Sequence, residues 1–468
     1  RPTITARRRP VLASSQISAP LMQLGRMLIP LYLHFVLRFR KIEIVDPKRI
    51  IESIRDFQMQ KTRLIVAFRH PYGDEPQLIF HAIHNLLPRL AKRYDMTFSK
   101  RPHLRMVHDY AVALWGDPLI RFVLPRVGAV PVYHVTFDPA SLKRIRSILL
   151  DDPNPLGLAP EGQISYHSET LPRIEQGTIR MGFWCARDLE KAGRSESVQI
   201  LPVSIHYQYD RRDLKKVQAA IARLEKRCGL SPSPVCSRND AQSVREAELQ
   251  STIERIEDRL LDIAETFYGI ACQTQPHQDG SSESNCKDKR RQRWDALLMA
   301  ALDKGEQILG LTLSSKDVIA RVYRIRHEGW KRIYPEKLPE GISSLELALM
   351  NRQAGEAWHA MRHMEFVDLM SYHDTGYLRS RPLCGSSFDR IVETVINLED
   401  LDTRLRGGNI TNRPNVIRKR AVLIPAPCLD LTDHLAEYHE DAKKTVRDMT
   451  EELRMSLLSC MEEYCDGT

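Results

Sequence analysis

No two of the nine cysteines (Cys185, Cys228, Cys236, Cys272, Cys286, Cys384, Cys428, Cys460, Cys465) stand at Cys-x-x-Cys spacing. Neither a thiolate zinc site nor a disulfide framework is therefore expected. Their scatter reads as small buried hydrophobes plus a few exposed thiols on the reducing side of a membrane. His-Glu-x-x-His is missing too. His359 and His363 stand one helical turn apart, with Glu356, His373 and Asp374 nearby, but without that pattern no metal is expected. No internal repeat is present. No acidic residue precedes Glu43, and no long apolar run is free of charge: residues 17–37 hold Arg26, His34 and two prolines. A clean bilayer span is thereby disfavoured.

The N-terminus instead carries Arg1, Arg7, Arg8, Arg9, Arg26, Arg38, Arg40 and Lys41. Residues 1–42 are expected to form a membrane-interface helical element whose Arg7–Arg9 and Arg38–Lys41 reach lipid phosphates. A core-packed helical hairpin is the competing reading, and the remnant of a transit peptide has the same basic, Ser-containing composition. Lys plus Arg exceed Asp plus Glu by 69 to 60, which favours an anionic partner of some kind. The run Lys287–Arg291 lacks interleaved aromatics, so no specific nucleic acid is expected.

At 468 residues the chain is long enough for two structural units, or one domain with a large insertion. From 43 to 210, β-rich runs at 64–68, 104–108, 129–135, 156–160 and 198–207 alternate with helical stretches at 77–94, 141–150 and 177–191. That alternation predicts an α/β domain. Residues 211–414 are charged and helix-forming, with helices expected at 213–227, 241–269, 294–309 and 345–372 and loops or disorder near 231–243 and 272–293. A late β-run at 421–427 precedes a long helix from 432 to about 464. One strand cannot stand alone, because its backbone groups need partners. Residues 43–210 and 415–468 are therefore expected to form one discontinuous domain, with 211–414 inserted.

The strand at 64–68 runs into Arg69-His70-Pro71-Tyr72-Gly73-Asp74-Glu75. A histidine just past a strand end, with carboxylates four and five residues on, can be oriented through Nδ1 while Nε2 faces a substrate. Such a base can deprotonate an alcohol attacking a thioester. At a second strand end stand Pro160, Glu161 and Gly162, the glycine allowing backbone amides to approach a ligand oxygen. Gly177 opens an apolar helix, and Pro202 interrupts a strand.

In this order the four segments resemble the glycerolipid acyltransferase family, the group of glycerol-3-phosphate and 1-acylglycerol-3-phosphate acyltransferases. The family's His-x4-Asp motif matches His70 and Glu75, with Asp74 one residue away. Its second block resembles 127–134, its third Pro160–Gly162, its fourth Ile200–Val203. The resemblance implies a mixed-sheet α/β acyltransferase domain, with His70 as base and Glu75 or Asp74 as its orienter. It further implies Pro160, Glu161, Gly162, Arg69, Arg173 and Gly177 as acceptor contacts. The implied reaction moves a fatty acyl group from acyl-CoA or acyl-carrier protein to a glycerolipid hydroxyl; separately, a membrane-associated location, of plastid or bacterial cytoplasmic type, is expected. The reaction needs no metal or redox cofactor. Where the family commonly has cations, this chain has His134, Ile164 and Gln176. Either Arg69, Arg105, Arg173 and Arg180 replace them, or the acceptor carries no phosphate there. The alternative is a non-catalytic lipid-binding scaffold that retains the fold.

Overall fold

A computed structural model describes residues 4–9, 15–116, 118–132, 139–233, 241–270, 283–312, 317–335, 338, 341–374, 376–380, 382, 386–408, 415 and 417–466. The chain divides into two compact units. One comprises Arg1–Val11, Tyr209–Pro382 and Ser386–Ile417, the other Leu12–Gln208, Leu383–Gly385 and Arg418–Thr468.

The second unit is α/β. Its strands are β1 (Phe39–Ile44), β2 (Thr62–Phe68), β3 (Arg105–Asp109), β4 (Val130–Val132), β5 (Leu156–Leu158), β6 (Ser197–Tyr209), β7 (Lys419–Pro425) and β8 (Leu429–Asp430). They form one sheet in the order β1-β7-β6-β2-β5-β3-β4, with β8 antiparallel on β6. The pairs β1–β7, β6–β2, β2–β5, β5–β3 and β3–β4 are parallel. Every residue of β2 is buried, as expected of a parallel strand covered on both faces. The helices are α1 (Ala19–Leu31), α2 (Pro47–Gln58), α3 (Glu75–His81), α4 (Leu87–Arg93), α5 (Ala111–Trp115), α6 (Pro118–Arg126), α7 (Pro139–Asp151) and α8 (Gly177–Lys191). The core joins Ile65, Ala67, Ile200, Phe183, Leu431 and Leu453 from strands and helices distant in sequence. A Cβ at Gly182 would stand 2.2 Å from Leu431 Cδ1, so a larger residue there would push the buried Leu431 side chain aside.

Between α3 and α4 the helix continues as a π-turn, Ala82–Leu86, inside what the spacing predicts as one α-helix. α1 rests on this stretch by a specific device. Pro30 has no N–H to donate to the Arg26 carbonyl four residues back, and Asn85 Nδ2 donates to that carbonyl instead, at 3.0 Å. Only Met22 of α1 is buried. Leu24, Met27, Leu28 and Leu31 are exposed, as are Tyr32, Val36 and Phe35, the last at 71%. Among the described residues no helix is long and apolar enough to cross a membrane.

The other unit is helical: α9 (Leu214–Cys228), α10 (Gln242–Tyr268), α11 (Glu283–Leu309), α12 (Val318–Ile333), α13 (Ser344–Met370) and α14 (Ser387–Leu405). Residues 283–293, expected in a loop, belong to α11. Seven of these eleven residues are Glu, Lys, Arg or Gln, good helix formers, and Arg290 and Arg293 reach Asp258 and Asp262 on α10. The segment expected as one element over 1–42 is shared. Residues 1–11 go with the helical unit, where Ala6 N–H donates to Asn351 Oδ1 and Arg7 N–H to the Ile333 carbonyl. The C-terminal helix expected as continuous breaks at Asp441 into α15 (Leu435–Glu440) and α16 (Ala442–Asp466). Cys465 is disulfide-bonded, against the expectation of thiols throughout. Cys185, Cys228, Cys428 and Cys460 are free.

Candidate active site

β2 delivers its last residues into a turn that ends where α3 begins. Arg69 N–H still pairs with the Val203 carbonyl of β6, so the turn starts from a rigid base. Glu75 lies in the first turn of α3, where a carboxylate favours the exposed amides. The fully buried Glu75 carboxylate accepts four hydrogen bonds. Tyr72 N–H at 3.0 Å and Tyr207 Oη at 2.5 Å reach Oε1; Gly73 N–H at 2.7 Å and His70 Nδ1 at 2.7 Å reach Oε2. Gly73 has φ +95°, a left-handed conformation that glycine adopts without strain and that aims its amide at Glu75.

His70 keeps 21% of its side-chain surface open, while Glu75 keeps none. With Nδ1–H donating to Glu75, the neutral ring presents Nε2 as an acceptor. Burial opposes the imidazolium, but the hydrogen bond and charge of Glu75, then the charges of Glu161 and Asp74, outweigh it and raise the His70 pKa. Burial likewise opposes ionisation of Glu75, yet the hydrogen bond and charge of His70 and the Tyr207 hydroxyl hold its pKa below the ordinary value. A buried carboxylate with four donors stays charged, and a charged partner is what steadies an imidazolium.

Asp74, the alternative orienter, is turned elsewhere: Oδ2 pairs with Lys419 Nζ at the start of β7. That ammonium lies 4.6 Å from the Phe39 ring centre, 5.2 Å from Tyr207 and 5.4 Å from Tyr72, a desolvated cation–π cage.

Arg69 and Glu161, expected to meet the acceptor, are both 0% exposed and paired, Nε to Oε1 3.3 Å. Arg69 also donates to the carbonyls of His167, Ser168 and Thr170 at 3.1, 2.6 and 2.6 Å. Glu161 Oε2 accepts the His70 N–H at 2.5 Å, and Oε1 the Ser165 hydroxyl at 3.2 Å. The pair therefore positions the histidine's backbone and straps the 161–170 loop beneath it. Ser165 and Tyr166 N–H donate to the carbonyls of His70 and Pro71, and Glu175 N–H to that of Pro160. Gly162 turns with φ +74°. Burial outweighs the charges of Arg69 and His70 and raises the Glu161 pKa.

Arg105 is also engaged, donating to Asp152 Oδ2 at 2.7 and 2.9 Å. Arg173 is exposed and Arg180 donates to Gln176, the N-cap of its helix. Gly177 opens α8 with empty space where a side chain would stand. His134 lies outside the described residues. No protein-family model matches the chain, and no curated protein matches it. Tyr207 and Lys419 were missed in the sequence. A tyrosine inside a buried strand is the signal for the first, because its hydroxyl must find a partner. Lys419 has no such local signal.

Proposed function

We propose that the α/β unit is an O-acyltransferase that moves a fatty acyl group from acyl-CoA or acyl-carrier protein to a glycerolipid hydroxyl at a membrane surface, as in phospholipid biosynthesis. The observation that carries this reading is the open His70 held at 2.7 Å by the four-bonded, fully buried Glu75. His70 Nε2 takes the proton of the acceptor hydroxyl as its oxygen attacks the thioester carbonyl. The imidazolium formed is stabilised by Glu75, and the thiolate leaves with a proton. Arg69 and Glu161 hold the His70 backbone rather than the acceptor. The exposed apolar side chains of α1 support a seat on lipid.

One observation favours a second reading, a non-catalytic lipid-binding scaffold with this fold: Arg69 and Arg105 are both engaged internally, which leaves the acceptor phosphate without those two cations. Thiol release from acyl-CoA and acyl-carrier-protein donors, with glycerol 3-phosphate, lysophosphatidic acid or an unphosphorylated glyceride on liposomes, separates the two. Acceptor-dependent release that disappears in His70→Ala supports the enzyme. Liposome binding without release from any donor and acceptor supports the scaffold.

A further inference from the structure

Arg26 on α1, Arg89 on α4 and Arg101 in the loop before β3 line one cavity of about 380 Å3, together with Gln23, Met27 and Asn85. Among the described residues none of the three guanidiniums has a carboxylate partner; Arg101 donates only to the His84 carbonyl, at 3.3 Å. Burial, then the charge of Arg101, lowers the Arg26 pKa. The buried imidazoles behind, His84 at about 3 and His103 at about 4, stay neutral near pH 7. Three cations thus face one space with no anion to balance them, although the Asn85–Arg26 hydrogen bond holds two of its walls together. Guanidiniums in this setting match the oxygens of a phosphate.

We propose that this cavity binds the phosphate group of an anionic phospholipid. One observation selects a lipid over a free phosphate. Met27 lines the cavity and is also part of the exposed apolar face of α1 with Leu24, Leu28 and Leu31. A headgroup seated on the arginines would carry its acyl chains onto that face. The site is not the acceptor subsite of the dyad. Asn85 and Arg89 lie ten and fourteen residues along a continuous helical stretch from Glu75, or about 15–20 Å at a helical rise. A glycerol phosphate bridges only a few bonds. The inference therefore stands apart from the acyltransferase reading.

The test is co-sedimentation of the full chain with phosphatidylcholine vesicles, with and without phosphatidic acid. Arg26→Gln/Arg89→Gln/Arg101→Gln is compared with a control, Lys443→Gln/Lys444→Gln/Arg447→Gln, on the exposed face of α16. The cavity triple should weaken binding to phosphatidic acid vesicles by about tenfold or more and leave binding to phosphatidylcholine alone unchanged. Arg101→Gln alone, in an exposed loop, should weaken it by about fivefold and guards against misfolding of the triple. His70→Ala should bind like the native chain, so loss of turnover and loss of this site are read separately. Equal weakening by the cavity and control triples overturns the site, because net charge then explains the binding. Calorimetric binding of glycerol 3-phosphate that Arg26→Gln/Arg89→Gln/Arg101→Gln abolishes and that vesicles do not displace overturns the lipid as its source.

Discussion

The two units bury charge to different ends. In the helical unit Arg321 and Glu306 are 2% and 1% exposed and meet through two hydrogen bonds, with Arg324 as a second partner of Glu306. Glu257 likewise accepts from Trp294 Nε1 at 3.1 Å and His373 Nε2 at 2.6 Å. These groups close on one another and lock helix to helix. In the α/β unit the buried Arg69–Glu161 pair and Glu75 converge instead on one residue, the first through its backbone and the second through its ring, and its side chain remains open: His70. Buried charge is costly unless it is paired and hydrogen-bonded. Where it fixes a single accessible titratable group, its chemical use is orientation.

The sharpest break of that comparison is His70→Ala. It should lower thiol release about a thousandfold and, because it removes one of the four hydrogen bonds to the buried Glu75, cost about 1.5–3 kcal/mol in urea denaturation; retained turnover in the folded variant would remove the dyad from the reaction. Next is Arg69→Met set against Arg321→Met. The first leaves Glu161 buried without its cation and should cost about 3–5 kcal/mol, with loss of activity. The second leaves Glu306 still paired with Arg324 and should cost about 2 kcal/mol, with activity intact. Denaturant midpoints and thiol release on the same samples decide between them.

A third prediction concerns pH. The proposed acyl transfer uses the base form of His70, whose pKa is raised above 6.5, so activity should climb as pH rises through that higher value. Glu75→Gln removes the largest raising influences, and the acidic limb of the kcat/KM profile should move to lower pH. A limb that stays in place would assign it to another group. The linked stabilities have opposite signs. The His70 contribution is full below its unfolded value and is lost as pH rises through the folded one. That of Glu75, whose pKa is lowered from 4.5, is present above that value and is lost as pH falls. The smallest effect is expected from Tyr207→Phe, which removes one hydrogen bond to a charged, buried carboxylate. A cost of about 1.5–3 kcal/mol is expected, with a fall in kcat of several-fold and little change in KM.

Much of the α/β unit was legible because its parallel strands are short apolar runs bounded by turns. The runs at 64–68 and 198–207 stand as β2 and β6, and the late run at 421–427 as β7. β1, with the sequence FRKIEI, was not, since its exposed Arg40 and Lys41 interrupt the apolar pattern. α14 escaped for a different reason. Its acids from Asp389 to Asp402 look like a solvated face, yet every residue from Phe388 to Asp402 is buried, because partners such as Tyr377 and Arg223 reach the carboxylates. Within the site, the pairing of His70 with an acid five residues on could be read directly. That Arg69 and Glu161 face each other could not.

The amino-acid order alone determined where a histidine would follow a strand and which carboxylates lay within a helical turn of it. Those relations span a few residues, and local backbone geometry decides them. Tertiary structure alone chose Glu75 over Asp74, by bringing Tyr207 to one and Lys419 to the other across 132 and 345 residues of chain. It also gathered Arg26, Arg89 and Arg101 around one cavity. Hydrogen bonds and charges act over a few ångströms, and which groups come that close is settled when the sheet closes and the helices pack.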